Sequence, residues 1–141
     1  MPHNASPLEL LNHRFLEFEC QATIGDNTGG SLGLQTQYEI AANADNPLRW
    51  QVILTVEFSP EAPAHPSTYQ GKIKIIGEFQ IHDSYAEKNR DALIRVTAVS
   101  ILYGACREMV ANFTTRSIHG ILSLPSISFW MPKQESQAGN E

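Results

Sequence analysis

Cysteine is scarce. Cys20 and Cys106 are the two in a chain of 141 residues. No Cys-x-x-Cys pair exists, and the five histidines, His3, His13, His65, His82 and His119, match no short metal-binding spacing. Both cysteines fall on inward-facing positions of predicted elements, which reads as two buried thiols in a cytoplasmic protein rather than a disulfide. Positive charge is also thin: Lys and Arg total 10 against 15 Asp and Glu, for a net charge of −5. The basic residues are scattered, which argues against nucleic-acid binding, since phosphate contacts need clustered Lys and Arg. No apolar run approaches the length of about 20 residues that a membrane helix needs. The first 15 residues carry Glu9 and no apolar stretch ending in small residues, so no secretory leader is expected.

What remains is a chain that is 42% hydrophobic and 18% charged, long enough for one domain with a real core. Residues 1–12 are expected to be a flexible N-terminus, 13–131 a single domain, and 132–141 a disordered polar tail. Phe15 to Ile24 alternates: Leu16, Phe18, Cys20, Ala22 and Ile24 point one way, with Glu17, Glu19, Gln21 and Thr23 opposite. That period of two predicts a strand with one packed face. The glycine-rich stretch 25–33 is too long for a tight hairpin and lacks the Lys-Ser/Thr ending of a phosphate loop, so it reads as a crossover. Leu34 to Ala42 and Leu48 to Phe58 predict an antiparallel pair around a turn at Asn43–Pro47. Three prolines make 59–67 a loop. Thr68 to Ile81 is the fourth strand, and Gly71 and Gly77 on its apolar side mark bends or close approach of a helix. Ile53 and Ile76 fall on the mainly polar face of neighbouring strands, which makes them candidates for contact with another subunit.

Asp83-Ser84 can cap a short helix over Tyr85–Val96, joined near Thr97-Ala98 to a long one. In the long helix Leu102, Cys106, Met109 and Phe113 recur about once per turn, overlapping a stripe of Val99, Tyr103 and Val110. Ser100 is a candidate cap. Gly104, costly inside a helix by about 1 kcal/mol, is expected to mark close packing on the sheet or on a partner helix. Gly120 is the expected stop, followed by an apolar, proline-bearing return through Trp130.

Catalytic chemistry finds little support. Cys106 shares its helix face with Leu102 and Met109, which suits core better than a nucleophile. His82 and Asp83 are sequence neighbours at a strand end, more in keeping with surface groups than with a base and its orienter. Arg107 and Glu108, amid apolar neighbours, suggest a structural charge network. No catalytic residue, metal or cofactor is assigned. Recognition of a partner is the better use of an apolar surplus in which Trp50, Tyr85, Phe129, Trp130 and Met131 are the candidates for exposed or interfacial area.

The run Arg95 to Val110, then Asn112 to Ser117, closing on Leu122-Ser-Leu-Pro-Ser-Ile-Ser-Phe129, resembles the C-terminal half of the SecB family of protein-export chaperones. The marks are Ile101-Leu102-Tyr103 with Arg107-Glu108, then Thr115-Arg116, Gly120 and the Leu124-Pro125-x-Ile127-x-Phe129 ending. The resemblance implies an α+β, SecB-like fold: a four-stranded antiparallel sheet with a long C-terminal helix on one face. It also implies a cytoplasmic homotetramer, a dimer of dimers, that holds non-native polypeptides in apolar grooves without ATP, cofactor or catalysis. Carried onto this chain, Trp50, Leu102 and Tyr103 become groove or interface candidates. Export would add docking on the translocation motor ATPase, for which Glu17, Glu19, Glu39 and Glu57 are the available carboxylates. The alternative within the family is a solitary chaperone or adaptor dedicated to one partner, such as an unstable antitoxin, with no role in secretion.

Overall fold

The computed structural model describes residues 6–25, 32–61 and 68–129. Strands β1 (Leu8–Thr23), β2 (Leu32–Ala42), β3 (Arg49–Pro60) and β4 (Thr68–Ile81) form one antiparallel sheet in the order β1-β4-β3-β2. The two strands first in sequence therefore occupy opposite edges. Alternation along β3 and β4 puts Val52, Leu54, Val56 and Phe58 beside Ile73, Ile75, Phe79 and Ile81, all buried, on one face. Each such side chain contributes about 1.5–3 kcal/mol by leaving water.

β1 departs from its expected course. It begins at Leu8, so residues 8–12 are sheet rather than flexible N-terminus. Its pairing with β4 slips twice, between Leu10 and Asn12 and between Phe15 and Glu17, leaving Leu11 and Leu16 as extra residues. Each bulge reverses the alternation. The core-facing set is consequently Leu8, Leu10, His13, Phe15, Phe18, Cys20 and Ala22, which stand opposite core-facing positions of β4. Leu16, expected inward, sits in a bulge and is exposed, and so is Ile24, beyond the strand.

The short helix joins the long one at Thr97-Ala98 as expected, through a π-helical turn and without a break in the helical course. A 3₁₀ turn at Glu87–Asn89 leads into α1 (Arg90–Leu93), a π-helical turn at Ile94–Ala98 and α2 (Val99–Thr114). The wider π turn keeps Ile94 and Ala98 on the buried stripe that α2 resumes at Val99. The bidentate Asp91–Arg95 pair, at 3.0 Å, braces this turn on its solvent side. Neither expected cap forms. Ser100 bonds back to the Val96 carbonyl at 2.6 Å. The Arg90 guanidinium, not Ser84, closes the helix entrance, donating to the Tyr85 and Asp83 carbonyls.

α2 lies over β3 and β4 with Val99, Leu102, Tyr103, Cys106, Val110 and Thr114 buried. Gly104 faces open space, with nothing within 4 Å of where a Cβ would be, so it does not pack on the sheet. After α2 the chain turns back through Gly120, whose φ of 79° favours glycine. It then runs without regular secondary structure from 121 to 129, here called the strap. Tyr69 anchors the turn: its hydroxyl accepts from His119 N–H at 2.9 Å and donates to the Gly120 carbonyl at 2.8 Å.

Candidate functional site

The helix has two flanks, and the chain treats them differently. On the side toward β2 the strap fills the angle between helix and sheet. Leu124 and Phe129 are buried there, and Leu122 and Ile127 pack partly against the same core. The Phe129 ring meets the edges of Tyr103 and Tyr38 at centroid distances of 5.8 and 6.5 Å. Arg95 caps this aromatic cluster, its guanidinium 5.9 Å from the Tyr38 ring centre.

On the side toward β1 the described contacts come from the end of the helical region: His119 Nε2 lies 2.9 Å from the Thr23 carbonyl. Phe113 touches Phe18 edge-on at 5.5 Å, yet remains 48% exposed. Leu10 and Phe15 point to the same side of the sheet and are also exposed, at 36% and 37%. Met109, one turn before Phe113, shares its stripe and is partly buried. The result is an open, mainly apolar row along the β1–α2 flank, with His13 between Leu10 and Phe15, on β1, an edge strand of the sheet.

The outer face of the sheet has a different character. Lys72 stands directly opposite Glu19 on β1 and Glu57 on β3, and its Nζ lies 3.9 Å from Glu17. Lys74 pairs across with Glu17. These charges form a cross-strand ladder, so solvated pairing accounts for them without any acid–base role. A polar depression of about 590 Å³ opens over this ladder, lined by Glu19, Gln35, Glu57, Glu61, Gln70 and Lys72 among others. Ile53 and Ile76 are cross-strand partners on this face, and Arg14 stands opposite Ile76 from the other side. The expected outward pair is therefore a contiguous apolar spot on a charged surface.

Three of the residues expected as groove or interface candidates are buried within the chain. Leu102, Tyr103 and Phe129 are 0%, 3% and 8% exposed, because the strap and the sheet cover them. Trp50 and Tyr85 are half-buried against the core. The Trp50 ring nitrogen is buried with no hydrogen-bond partner among the described residues. Trp130, Met131 and the tail from 132 lie outside the described residues. Arg107 and Glu108 do not form an ion pair among the described residues: Arg107 Nε donates to the Leu124 carbonyl at 2.9 Å, and Glu108 is exposed. Helical spacing explains this, since adjacent residues diverge by about 100° around the axis.

Chemically reactive groups are quenched or dispersed. Burial pushes the Cys106 thiol up to about 12 and raises that of Cys20, and both are free thiols. His82 Nδ1 lies 2.8 Å from Ser84 Oγ and 3.3 Å from Asp83 Oδ1 in an exposed turn, away from the cavities described above. Among the described residues no three His, Cys, Asp or Glu side chains converge as a metal site.

Sequence reasoning missed Leu10, Phe15 and Phe113 as exposed apolar residues, and Tyr38 and Arg95 as part of the aromatic cluster. One signal was present. The doublets Leu10-Leu11 and Phe15-Leu16 each break an alternating strand, as bulges do.

Comparison with known proteins gives a fold and little else. No protein-family model matches the chain, and no curated protein does. Among solved structures, the SecB-like chaperone Rv1957 of Mycobacterium tuberculosis, in complex with a ChAD peptide from the Rv1956 HigA1 antitoxin, superposes with a TM-score of 0.63. The match covers 89% of this chain and 94% of that one at 17% identity. A protein of unknown function from Streptococcus agalactiae aligns at a TM-score of 0.46 and 9% identity, over 86% of this chain and 99% of that one. The four-stranded antiparallel sheet with its long C-terminal helix is thus the SecB-like fold.

Proposed function

We propose that this protein is an ATP-independent holding protein that binds a non-native segment of a dedicated partner. The observation that carries the reading is the open apolar row of Leu10, Phe15 and Phe113 beside α2, on a scaffold with no assembled catalytic set among its described residues. Exposed aromatic and aliphatic side chains in a row select for apolarity rather than for one hydrogen-bond pattern, as non-native chains require. The similar Mycobacterium tuberculosis protein was solved with an antitoxin peptide, which favours one dedicated partner over general export. No observation singles out the motor ATPase as a partner. The free thiols support a reducing, cytoplasmic setting.

The assembly is a homotetramer on this reading. The 16-residue β1 is an edge strand of the sheet, and an edge strand is a template for a second copy unless protected. Ile53 and Ile76 provide a second contact on the outer face.

Light scattering with and without a permanently unfolded polypeptide tests both parts. A mass near four subunits that rises when reduced, carboxymethylated α-lactalbumin is added supports holding of non-native chains. Indifference to that probe, with saturable binding to one antitoxin-type peptide, narrows the reading to the dedicated partner. Indifference to every unfolded chain and peptide overturns it.

A further inference from the structure

We infer that the strap, residues 121–129, is a resident pseudo-client: it occupies the groove between α2 and β2 that takes an extended partner segment, and it must leave for that segment to bind. This places a second groove on the β2 flank, beyond the open row on the β1 flank, and rests on the holding reading.

The inference comes from how the strap is held. Its main chain is tied by side chains of α2. Thr114 Oγ1 accepts from Leu122 N–H at 2.8 Å, Arg107 Nε donates to the Leu124 carbonyl at 2.9 Å, and Tyr103 Oη donates to the Pro125 carbonyl at 2.5 Å. Every polypeptide presents such carbonyls, and every residue but proline such an N–H, so these ties do not read sequence. The strap's side chains enter the groove as two pairs, Leu122 with Leu124 and Ile127 with Phe129, and the alternation breaks between them where Pro125 and Ser126 both face out, as Ser123 and Ser128 do. Alternation is how any extended segment presents one apolar face. The groove therefore takes two apolar pairs, each of residues two apart, joined by an outward two-residue step.

The strap is also placed to swing. It has no regular secondary structure, and it pivots on Gly120, where the Tyr69 hydroxyl holds the turn independently of the groove. A competitor must match what the strap buries. Self-occupancy thus lowers apparent affinity by the fraction of time the groove is open, and weakening the strap raises it.

Amide hydrogen exchange on the wild-type protein, with reduced, carboxymethylated α-lactalbumin as the unfolded probe, is the direct test. Bound probe should raise exchange at 121–129, the Leu122 amide included, by about tenfold or more. The variants Leu124→Ala and Phe129→Ala, each weakening the occupant without touching its α2 ties, should bind the probe about fivefold more tightly. Probe binding that leaves strap protection unchanged or increased overturns the pseudo-client while leaving the holding function in place. If wild type binds no probe, the holding reading fails, and a synthetic peptide of residues 120–129 then decides the strap. Seating of that peptide on either variant, with protection of 99–114, supports an exchangeable occupant. Absence of binding to both variants overturns it. Should one variant fail to fold, the other and the wild-type exchange data still decide.

Discussion

Leu102 of the long helix rests on Gly77 of β4, so closely that a methyl group on Gly77 would lie 2.8 Å from Leu102 Cδ2. Leu102 is fully buried and cannot swing aside. The glycine therefore sets the height of α2 above the sheet, and with it the depth of both flanks. Gly77→Ala should cost about 1–2 kcal/mol by overpacking, offset in part by the better strand propensity of alanine. Urea denaturation measures this. Gly71→Ala should cost more, since the obstacle 2.2 Å away is the backbone carbonyl of Glu19 rather than a side-chain tip. Wild-type stability in both variants would mean that the helix and β1 ride freely on the sheet.

Gly104 makes the opposite prediction. It faces open space in mid-helix. Gly104→Ala should stabilise the protein by up to about 1 kcal/mol, read as a higher melting temperature at unchanged mass. A fall in the mass measured by light scattering would instead place Gly104 against a helix of a second copy.

The Ile53–Ile76 pair separates folding from assembly. Both residues lie on the outer face, away from the core. Ile53→Lys and Ile76→Lys should lower the solution mass while leaving the far-ultraviolet circular dichroism of the monomer fold intact. Native mass in both variants would remove the outer face from the assembly.

Cys106 predicts a pH dependence. Burial raises its thiol from the ordinary 9.0 to about 12 in the folded chain. The unfolded chain releases this proton first, so the contribution is fully present below about pH 9 and is lost as pH rises toward 12. Between pH 9 and 10.5 the wild type should lose stability more steeply than Cys106→Ala. Parallel slopes would show that the thiol is not desolvated. The half-buried Cys20 should react with iodoacetamide well before Cys106.

Much of this molecule was legible from residue pattern. The alternation in β3 and β4 named the buried face almost residue by residue. The helical stripe named Val99, Leu102, Tyr103, Cys106 and Val110. Gly77 announced a close approach, whereas Gly120, expected to stop the helix, lies in the turn six residues after its end at Thr114. The failures share one cause. Pattern reveals which side of an element is apolar, not what lies across from it. Phe113 belongs to the stripe but overhangs the open flank, and so stays exposed. Leu102, Tyr103 and Phe129 belong to the same apolar surplus but are sealed by the strap and the sheet.

By itself the sequence determined the class of fold, because period-two strands followed by one long amphipathic helix have few ways to bury their apolar faces. It also showed that the two cysteines and five histidines follow no metal-ligating spacing. Only the tertiary structure decided which flank of α2 is filled and which is open. That choice depends on two bulges in β1 and on the path of nine residues after Gly120. Both are set by competition among apolar contacts distant in sequence, and no local propensity encodes the outcome.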